Sequence, residues 1–218
     1  GGNNEEVVIL SGKRTPFGKF GGSLRDFTAT ELGVIAARAA FEQAKISPQE
    51  INHVIFGNAQ QTSSDAIYLA RHIGLKASVP ISAPALTVNR ICGSGFQSIV
   101  SGAQLLLLGE ANFVLAGGTE NMSQAPHVIR GARWGIALGQ GKMEDSLWSA
   151  LTDSYCDFSM ALTAENLAVR YGISREAADQ FSYESQMKTN AAQETGRLNE
   201  EIVQVEIKDG KGKALLEK

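Results

Sequence analysis

Ala85-Leu86-Thr87-Val88-Asn89-Arg90-Ile91-Cys92-Gly93-Ser94-Gly95-Phe96 passes from an apolar, β-branched segment through a polar break into a glycine-flanked helix start. Ala85-Leu86-Thr87-Val88 reads as a strand. Beyond Gly95, the residues Phe96, Ile99, Val100, Ala103, Leu106 and Leu107 recur at helical spacing, which predicts a helix that turns this face inward and stops at Gly109. The alternation repeats on both sides. Phe113-Val114-Leu115-Ala116 is the next strand, closed by Gly117-Gly118, and Val54-Ile55-Phe56-Gly57 is the preceding one. Between them Ser64-Asp65 opens a helix with Ala66, Leu69, Ala70 and Ile73 inward and Gly74 as its cap. Thr28-Ala29-Thr30-Glu31 is a capping box for a helix over about 29–44. Val7-Val8-Ile9-Leu10 reads as a short buried strand, followed by a Gly- and Pro-containing loop over 11–22. Strand and helix thus alternate from 7 to 117, the pattern of an α/β layered sheet.

The texture changes after residue 120. Residues 121–150 carry Met122, Trp134, Met143 and Trp148 among glycines with no period, and a long irregular excursion of this kind is usually functional or interfacial. Two helices follow, about 163–171 ending at Gly172 and from Ser174 to near Gly196, the second with Ala177, Ala178 and Phe181 on one face. Ile202–Ile207 alternates as a half-exposed strand, and Asp209-Gly210-Lys211-Gly212 is a hairpin signal.

Composition excludes several classes. The chain has 218 residues, 43% hydrophobic and 20% charged, which is a globular and not a disordered balance. A net charge of -3 with no Lys/Arg block argues against a nucleic-acid surface. The longest aliphatic run, Leu105 to Leu108, is far short of a membrane span. The polar, acidic start at Gly1–Glu6 lacks the features of a secretion or transit signal. Cys92 and Cys156 stand far apart and imply no disulfide framework, so a reduced, cytoplasmic compartment is expected.

Cys92 is the sharpest chemical feature. A cysteine between a strand and a helix meets free backbone N–H groups and the positive end of the helix dipole, which favour thiolate, the nucleophilic form. Gly93 and Gly95 permit close approach of a substrate, and nearby N–H groups are candidate oxyanion donors. The alternative is a buried structural thiol, the common fate of free cysteine. Position and neighbours leave both open. His53, His72 and His127 lie in no motif. Cys156 has acidic neighbours, which disfavour thiolate, and reads as structural. Glu120, Asp145 and Glu165 read as capping or arginine-pairing groups. No Cys/His/Asp cluster has metal-ligand spacing. Gly117-Gly118-Thr119-Glu120 lacks the lysine of a phosphate loop.

Several segments together resemble the N-terminal half of the thiolase family, the acetyl-CoA acyltransferases. They are Arg14-Thr15-Pro16-Phe17-Gly18-Lys19-Phe20-Gly21-Gly22, Val88-Asn89-Arg90-Ile91-Cys92-Gly93-Ser94-Gly95, Ala116-Gly117-Gly118-Thr119-Glu120-Asn121-Met122-Ser123 and Thr163-Ala164-Glu165-Asn166. The resemblance implies a thiolase-like layered α/β fold, a βαβαβαββ half with a mixed sheet, over 5–121 and lacking its last strand. It implies part of an inserted α/β loop domain over 122–218. It makes Cys92 the residue that carries the acyl group as a thioester and places Met160 in the acyl pocket. The implied activity is acyl transfer between coenzyme A thioesters, as in fatty acid β-oxidation or reverse Claisen condensation. Acyl-CoA and CoA are then substrates, with no metal and no resident cofactor.

The family's second half supplies a Gly-His-Pro histidine, a second cysteine and an Asn-Glu-Ala-Phe motif. Neither Gly-His-Pro nor Asn-Glu-Ala-Phe occurs here, so the chain alone is expected to be inactive. Ser159-Met160-Ala161-Leu162 replaces the His-Met-Gly common in short-chain biosynthetic members, and Met143–Trp148 resembles the mitochondrial 3-ketoacyl-CoA enzymes, which points to a broader 3-ketoacyl range. Residues 122–142 resemble a tetramer-forming loop, so a homodimer or homotetramer is expected. A eukaryotic source would move the location to the mitochondrial matrix or peroxisome. Three rivals remain from these residues: a ketoacyl-synthase-like condensing enzyme, disfavoured by Cys-Gly-Ser-Gly; a non-catalytic acyl-CoA-binding module, disfavoured by Cys92; and a purely structural fragment with an interface.

Overall fold

The computed structural model describes residues 6–208 and 214–217. The chain forms two compact units, Gly1–Gln124 with Glu201–Lys218, and Ala125–Glu200.

The first unit is built from α1 (Ala29–Ala44), β1 (His53–Gly57), α2 (Leu69–Lys76), β2 (Ala85–Val88), α3 (Ser94–Leu107) and β3 (Val114–Gly118). Its three strands run parallel in the order β2-β1-β3, with Val54 between Ala85 and Leu115. Side chains on a strand alternate between faces. Val54, Phe56 and Leu115 therefore point together, into a core with Val34 and Ala37 of α1 and Leu69, Ala70 and Ile73 of α2. The opposite face carries α3, whose Gly102 lies over Val114 and Ala116. Helices on both faces of a parallel sheet give the expected layered α/β architecture.

Local chemistry sets the ends of α1. Thr28 Oγ1 accepts the Glu31 N–H while Glu31 accepts the Thr28 N–H, the predicted capping box. Gly74 does not end α2, which runs on to Lys76. Its missing side chain instead lets the helix lie on β1, since a Cβ there would stand 3.1 Å from Val54 Cγ2.

Further expectations are corrected. Val7–Leu10 forms no strand and is exposed, because no described segment offers it a hydrogen-bonding ladder. The adjoining residues bond to α1 instead: Ser11 Oγ donates to the Ala40 carbonyl and the Gly12 N–H to Gln43 Oε1. The apolar stripe of α3 faces outward, with Phe96 80% exposed and Leu107 59% exposed. What α3 buries is the row of small residues Ser94, Ser98 and Gly102, which lets it sit close on the sheet. Finally, the tail from Glu201 belongs to the first unit and not with the insert expected over 122–218. The Val203 N–H donates to the Arg14 carbonyl, and Val205 is fully buried beside Leu24 and Leu32.

The second unit contains an antiparallel pair, β4 (His127–Ile129) with β5 (Met143–Asp145), inside the stretch expected to be irregular. α4 (Ser146–Leu151), the short pair β6 (Thr152–Asp153) and β7 (Phe158–Ser159), α5 (Met160–Tyr171) and α6 (Arg175–Glu194) follow. Gly172 caps α5 in the left-handed conformation, and Ser174 caps the start of α6. Phe181 on α6 is exposed. Back in the first unit, β8 (Val205–Lys208) pairs with β9 (Ala214–Glu217), while the predicted turn at 209–212 lies outside the described residues.

Candidate active site

The chain leaves β2 at Val88 and must reverse into α3 within a few residues. It does so through a turn closed by the Gly93 N–H on the Arg90 carbonyl, at 3.0 Å. Ile91, at the second position of that turn, has φ +48. A β-branched residue in this region is an outlier and costs about 1–3 kcal/mol. The surrounding bonds hold it there. Asn89 Oδ1 accepts the Ile91 N–H at 2.9 Å, an Asx-turn. Ser94 Oγ accepts the Arg90 N–H at 2.9 Å and donates to the Ile91 carbonyl at 2.6 Å. Cys92 is the next residue and is exposed. A nucleophile raised on a strained strand-to-helix turn is a recurrent catalytic arrangement. The N–H groups of Gly95 and Phe96, in the first turn of α3, have no acceptor among the described residues.

This turn stands at the carboxyl ends of the parallel strands, the edge where open α/β sheets bind ligands. Glycines set the approach. A Cβ on Gly57, the last residue of β1, would lie 2.5 Å from the Ser94 carbonyl carbon, and one on Gly118 would lie 3.2 Å from Gly95 Cα. Gly117 packs against the Phe56 ring, so the glycines of Gly117-Gly118 serve packing.

Behind the turn lies a half-buried polar group. Glu120, just past β3, accepts the N–H groups of Ala59 and Gln60. Burial pushes its carboxyl above the usual carboxylate range, against the opposing pull of those two N–H bonds. Asn58 is 1% exposed; its Nδ2 donates to the Thr119 carbonyl, while its Oδ1 has no partner among the described residues. Asn89 Nδ2 donates to the Ala59 carbonyl at 3.1 Å, which joins this loop to the turn.

Cys92 and Met160 lie in different units; Met160 opens α5 and is 50% exposed. None of the three histidines bonds to Cys92 among the described residues. His53 opens β1 with an unpartnered Nδ1, His72 bonds Asp65 at 3.1 Å and stacks on Tyr68, and His127 lies 4.0 Å from Asp145. Cys156 is exposed between β6 and β7, so it fills no core. Asp145 caps α4 as expected, by accepting the Leu147 N–H. Glu120 neither caps a helix nor pairs with arginine, as its sequence context suggests; it binds loop N–H groups instead. Asn89 and Ser94 lie inside the Val88–Gly95 stretch that carries the resemblance, where only Cys92 is given a role, although an asparagine two residues before a turn amide is the signature of an Asx-turn. No cluster of His, Cys, Asp or Glu that could hold a metal occurs among the described residues, and none of their helices is long and apolar enough to cross a membrane. A groove of about 690 Å³ lies elsewhere, between α1 and β8, lined by Phe27, Glu31, Ile35, Arg38 and Ile207.

The family model for the thiolase N-terminal domain matches residues 7–218. The human mitochondrial 3-ketoacyl-CoA thiolase is 52% identical over 212 residues, 97% of this chain and 53% of that protein. The beta-ketothiolase BktB of Cupriavidus necator is 44% identical over 207 residues, 95% of this chain and 52% of that protein. Among solved structures, the human mitochondrial 3-ketoacyl-CoA thiolase superposes with a TM-score of 0.91 at 52% identity, covering 95% of this chain and 53% of that one. The Bacillus anthracis acetyl-CoA acetyltransferase superposes with a TM-score of 0.90 at 35% identity, covering 96% of this chain and 52% of that one. The chain thus spans about half the length of the relatives it matches.

Proposed function

The chain belongs to the thiolase family, and from that premise we propose that the whole protein moves acyl groups between coenzyme A thioesters. Cys92 Sγ attacks the keto carbonyl of a 3-ketoacyl-CoA. The Cα–Cβ bond breaks, acetyl-CoA leaves after its enolate is protonated, and the shortened acyl group stays on sulfur. A CoA thiol, deprotonated as it attacks, then takes the acyl group and restores the cysteine, a ping-pong cycle. The condensation of acetyl-CoA is the same path reversed. CoA is a substrate throughout, and neither a metal nor a resident cofactor takes part. The observation that carries this reading is the exposed Cys92 on a strained turn at the carboxyl ends of the sheet, beside N–H groups that have no acceptor among the described residues.

Both proton transfers need an acid/base group within hydrogen-bond reach. None of the described groups bonds to Cys92, so we assign that role to residues of the whole protein outside this 218-residue stretch. Alone, this chain turns over no substrate. Met160 keeps the acyl-pocket role that the family motif gives it. A 3-ketoacyl range is favoured over strict acetoacetyl-CoA use by the 52% identity to an enzyme named 3-ketoacyl-CoA thiolase, against 44% to one named acetyl-CoA acetyltransferase. The former are named mitochondrial, which supports the matrix of a eukaryotic source over the cytoplasm. Assembly into a homodimer or homotetramer through 122–142 is supported by the exposed Trp134, Ile136 and Leu138.

The test is acylation. Full-length protein incubated with acetoacetyl-CoA in the absence of free CoA should carry one acetyl group on Cys92, found by peptide mass mapping, and Cys92→Ser should carry none. Acetyl on Cys156 with Cys92 unmodified would sink the assignment.

A further inference from the structure

We propose that Asn89 and Glu120 are positioning residues for Cys92, joined to it by a continuous hydrogen-bonded path from the end of β3 to the turn. The proposal rests on the reading of Cys92 as the nucleophile. The path begins at Glu120, whose carboxylate gathers the N–H groups of Ala59 and Gln60 and so fixes the loop that leaves β1. The fixed loop presents the Ala59 carbonyl to Asn89 Nδ2 at 3.1 Å. That bond sets the Asn89 amide, and its Oδ1 accepts the Ile91 N–H at 2.9 Å. Ile91 is the residue held at φ +48, one peptide before Cys92.

Strain of this kind persists only where the surroundings over-determine it. Ser94 holds the turn from the helix side, through Arg90 and the Ile91 carbonyl. Asn89 holds it from the strand side, by accepting the Ile91 N–H. Without it, Ile91 can relax toward negative φ, and the peptide that carries Cys92 rotates away from the first turn of α3. The three anchor points are the three strand ends themselves, since Ala59 follows β1, Asn89 follows β2 and Glu120 follows β3. The sheet thereby aims the thiol. Neither Asn89 nor Glu120 hydrogen-bonds to the thiol, so both act through the turn and not on the substrate.

The experiment reads Cys92 directly and takes Cys156 as the internal reference, since both are exposed and lie in different units. In the full-length protein, the rate of iodoacetamide labelling at each cysteine is followed by peptide mapping across pH 6–9, a range spanning the usual thiol titration. Asn89→Ala is expected to slow Cys92 labelling by about tenfold, the scale of one lost hydrogen bond, with Cys156 unchanged and the Cys92 pH profile displaced. Asn89→Asp keeps the acceptor for the Ile91 N–H but loses the Nδ2 donor to the Ala59 carbonyl, so it should not restore the rate. Glu120→Ala should reproduce the Asn89→Ala effect, while Glu120→Gln, which keeps one acceptor oxygen, should lie near wild type. Thermal melting accompanies every variant; if Glu120→Ala does not fold, the two Asn89 variants decide. Wild-type rates in Asn89→Ala would overturn the proposal, as would equal slowing of Cys156. The outcome is separate from the nucleophile reading, because acetylation of wild-type Cys92 by acetoacetyl-CoA tests that reading alone.

Discussion

Gly57→Ala adds one methyl at the contact that seats α3 on the sheet, and its cost follows from the geometry. The new Cβ would stand 2.5 Å from the Ser94 carbonyl carbon, 2.6 Å from its oxygen and 2.7 Å from its Cβ. Ordinary carbon contacts lie at about 3.5–4.0 Å, so the overlap is about 1 Å. No flexible side-chain tip can swing aside. The obstructing atoms belong to the first residue of α3, and Ser94 is tied by its hydroxyl to Arg90 and Ile91. The start of the helix and the Cys92 turn must therefore move together. Overpacking of this kind costs about 1–3 kcal/mol, and a shift of about 1 Å in a reacting group can cost about 10²-fold in rate. Urea unfolding should show the stability loss as a lower midpoint at unchanged slope. Cys92 acetylation by acetoacetyl-CoA should fall by about two orders of magnitude while Cys156 labelling holds. Gly12→Ala, where a Cβ meets nothing within 4 Å, is the control and should leave both readings unchanged. A Gly57→Ala protein with wild-type midpoint and wild-type acetylation would refute the claim that the Gly57–Ser94 contact positions the turn.

Burial raises the folded Glu120 carboxyl above its ordinary 4.5, so between that value and the folded one the native state holds a proton that the unfolded chain has released. Its stabilising contribution is complete below about pH 4.5 and is lost as pH rises through the folded value; unfolding at several pH values should show Glu120→Gln gaining on wild type across that window, and a gain for wild type would contradict the sign. Asp65 runs the other way: burial raises its carboxyl, but bonds from Ser63 and His72 outweigh it and hold the group below 3.8. Asp65→Asn should therefore cost stability near neutral pH and cost little once pH falls below the folded value, and a penalty that persists at low pH would count against the pairing. The outward stripe of α3 predicts that the 218-residue chain made alone self-associates at micromolar concentration; Phe96→Asp with Leu107→Lys should return it toward a monomer by light scattering, and an unchanged mass would place the sticky surface elsewhere. Trp134, 87% exposed, should be needed for tetramers of the full-length protein: Trp134→Ala should halve the mass, and an intact tetramer would remove that loop from the interface.

Sequence made the sheet legible because its signals are local. Each of β1, β2 and β3 is a short apolar run that ends at glycine or a polar residue, and the α1 capping box sits within four consecutive residues. Cys92 was legible for the same reason, as a cysteine at a strand-to-helix break. Its supports were not, since they join distant parts of the chain. Glu120 meets Ala59 and Gln60 across 61 and 60 positions, and Asn89 meets Ala59 across 30. Only the parallel register of the strands brings the residues just past their ends into reach.

Helix α3 and Val7–Leu10 separate two questions that periodicity merges. An apolar stripe at i, i+3 and i+4 reports that a face gains by burial, at about 25 cal/mol per Å²; it does not say against what. On α3 the sheet takes the opposite face, because the close seat at Gly57 and Gly102 admits only Ser94, Ser98 and Gly102 beneath the helix. Phe96, Ile99, Val100 and Leu107 then face outward, against the inward direction that their hydropathy predicts. Val7–Leu10 repeats the conflict in extended form, as a run with strand composition and no ladder among the described residues. Both segments belong to a chain that spans about half the length of its relatives. A sequence locally suited to burial yet exposed is a mismatch between levels, and in natural proteins such mismatches gather at functional or contact surfaces. The Phe96 end of that surface lies four residues from Cys92. A group seated on that end of the helix would stand beside the thiol, so what approaches α3 there and what reaches Cys92 are one structural question.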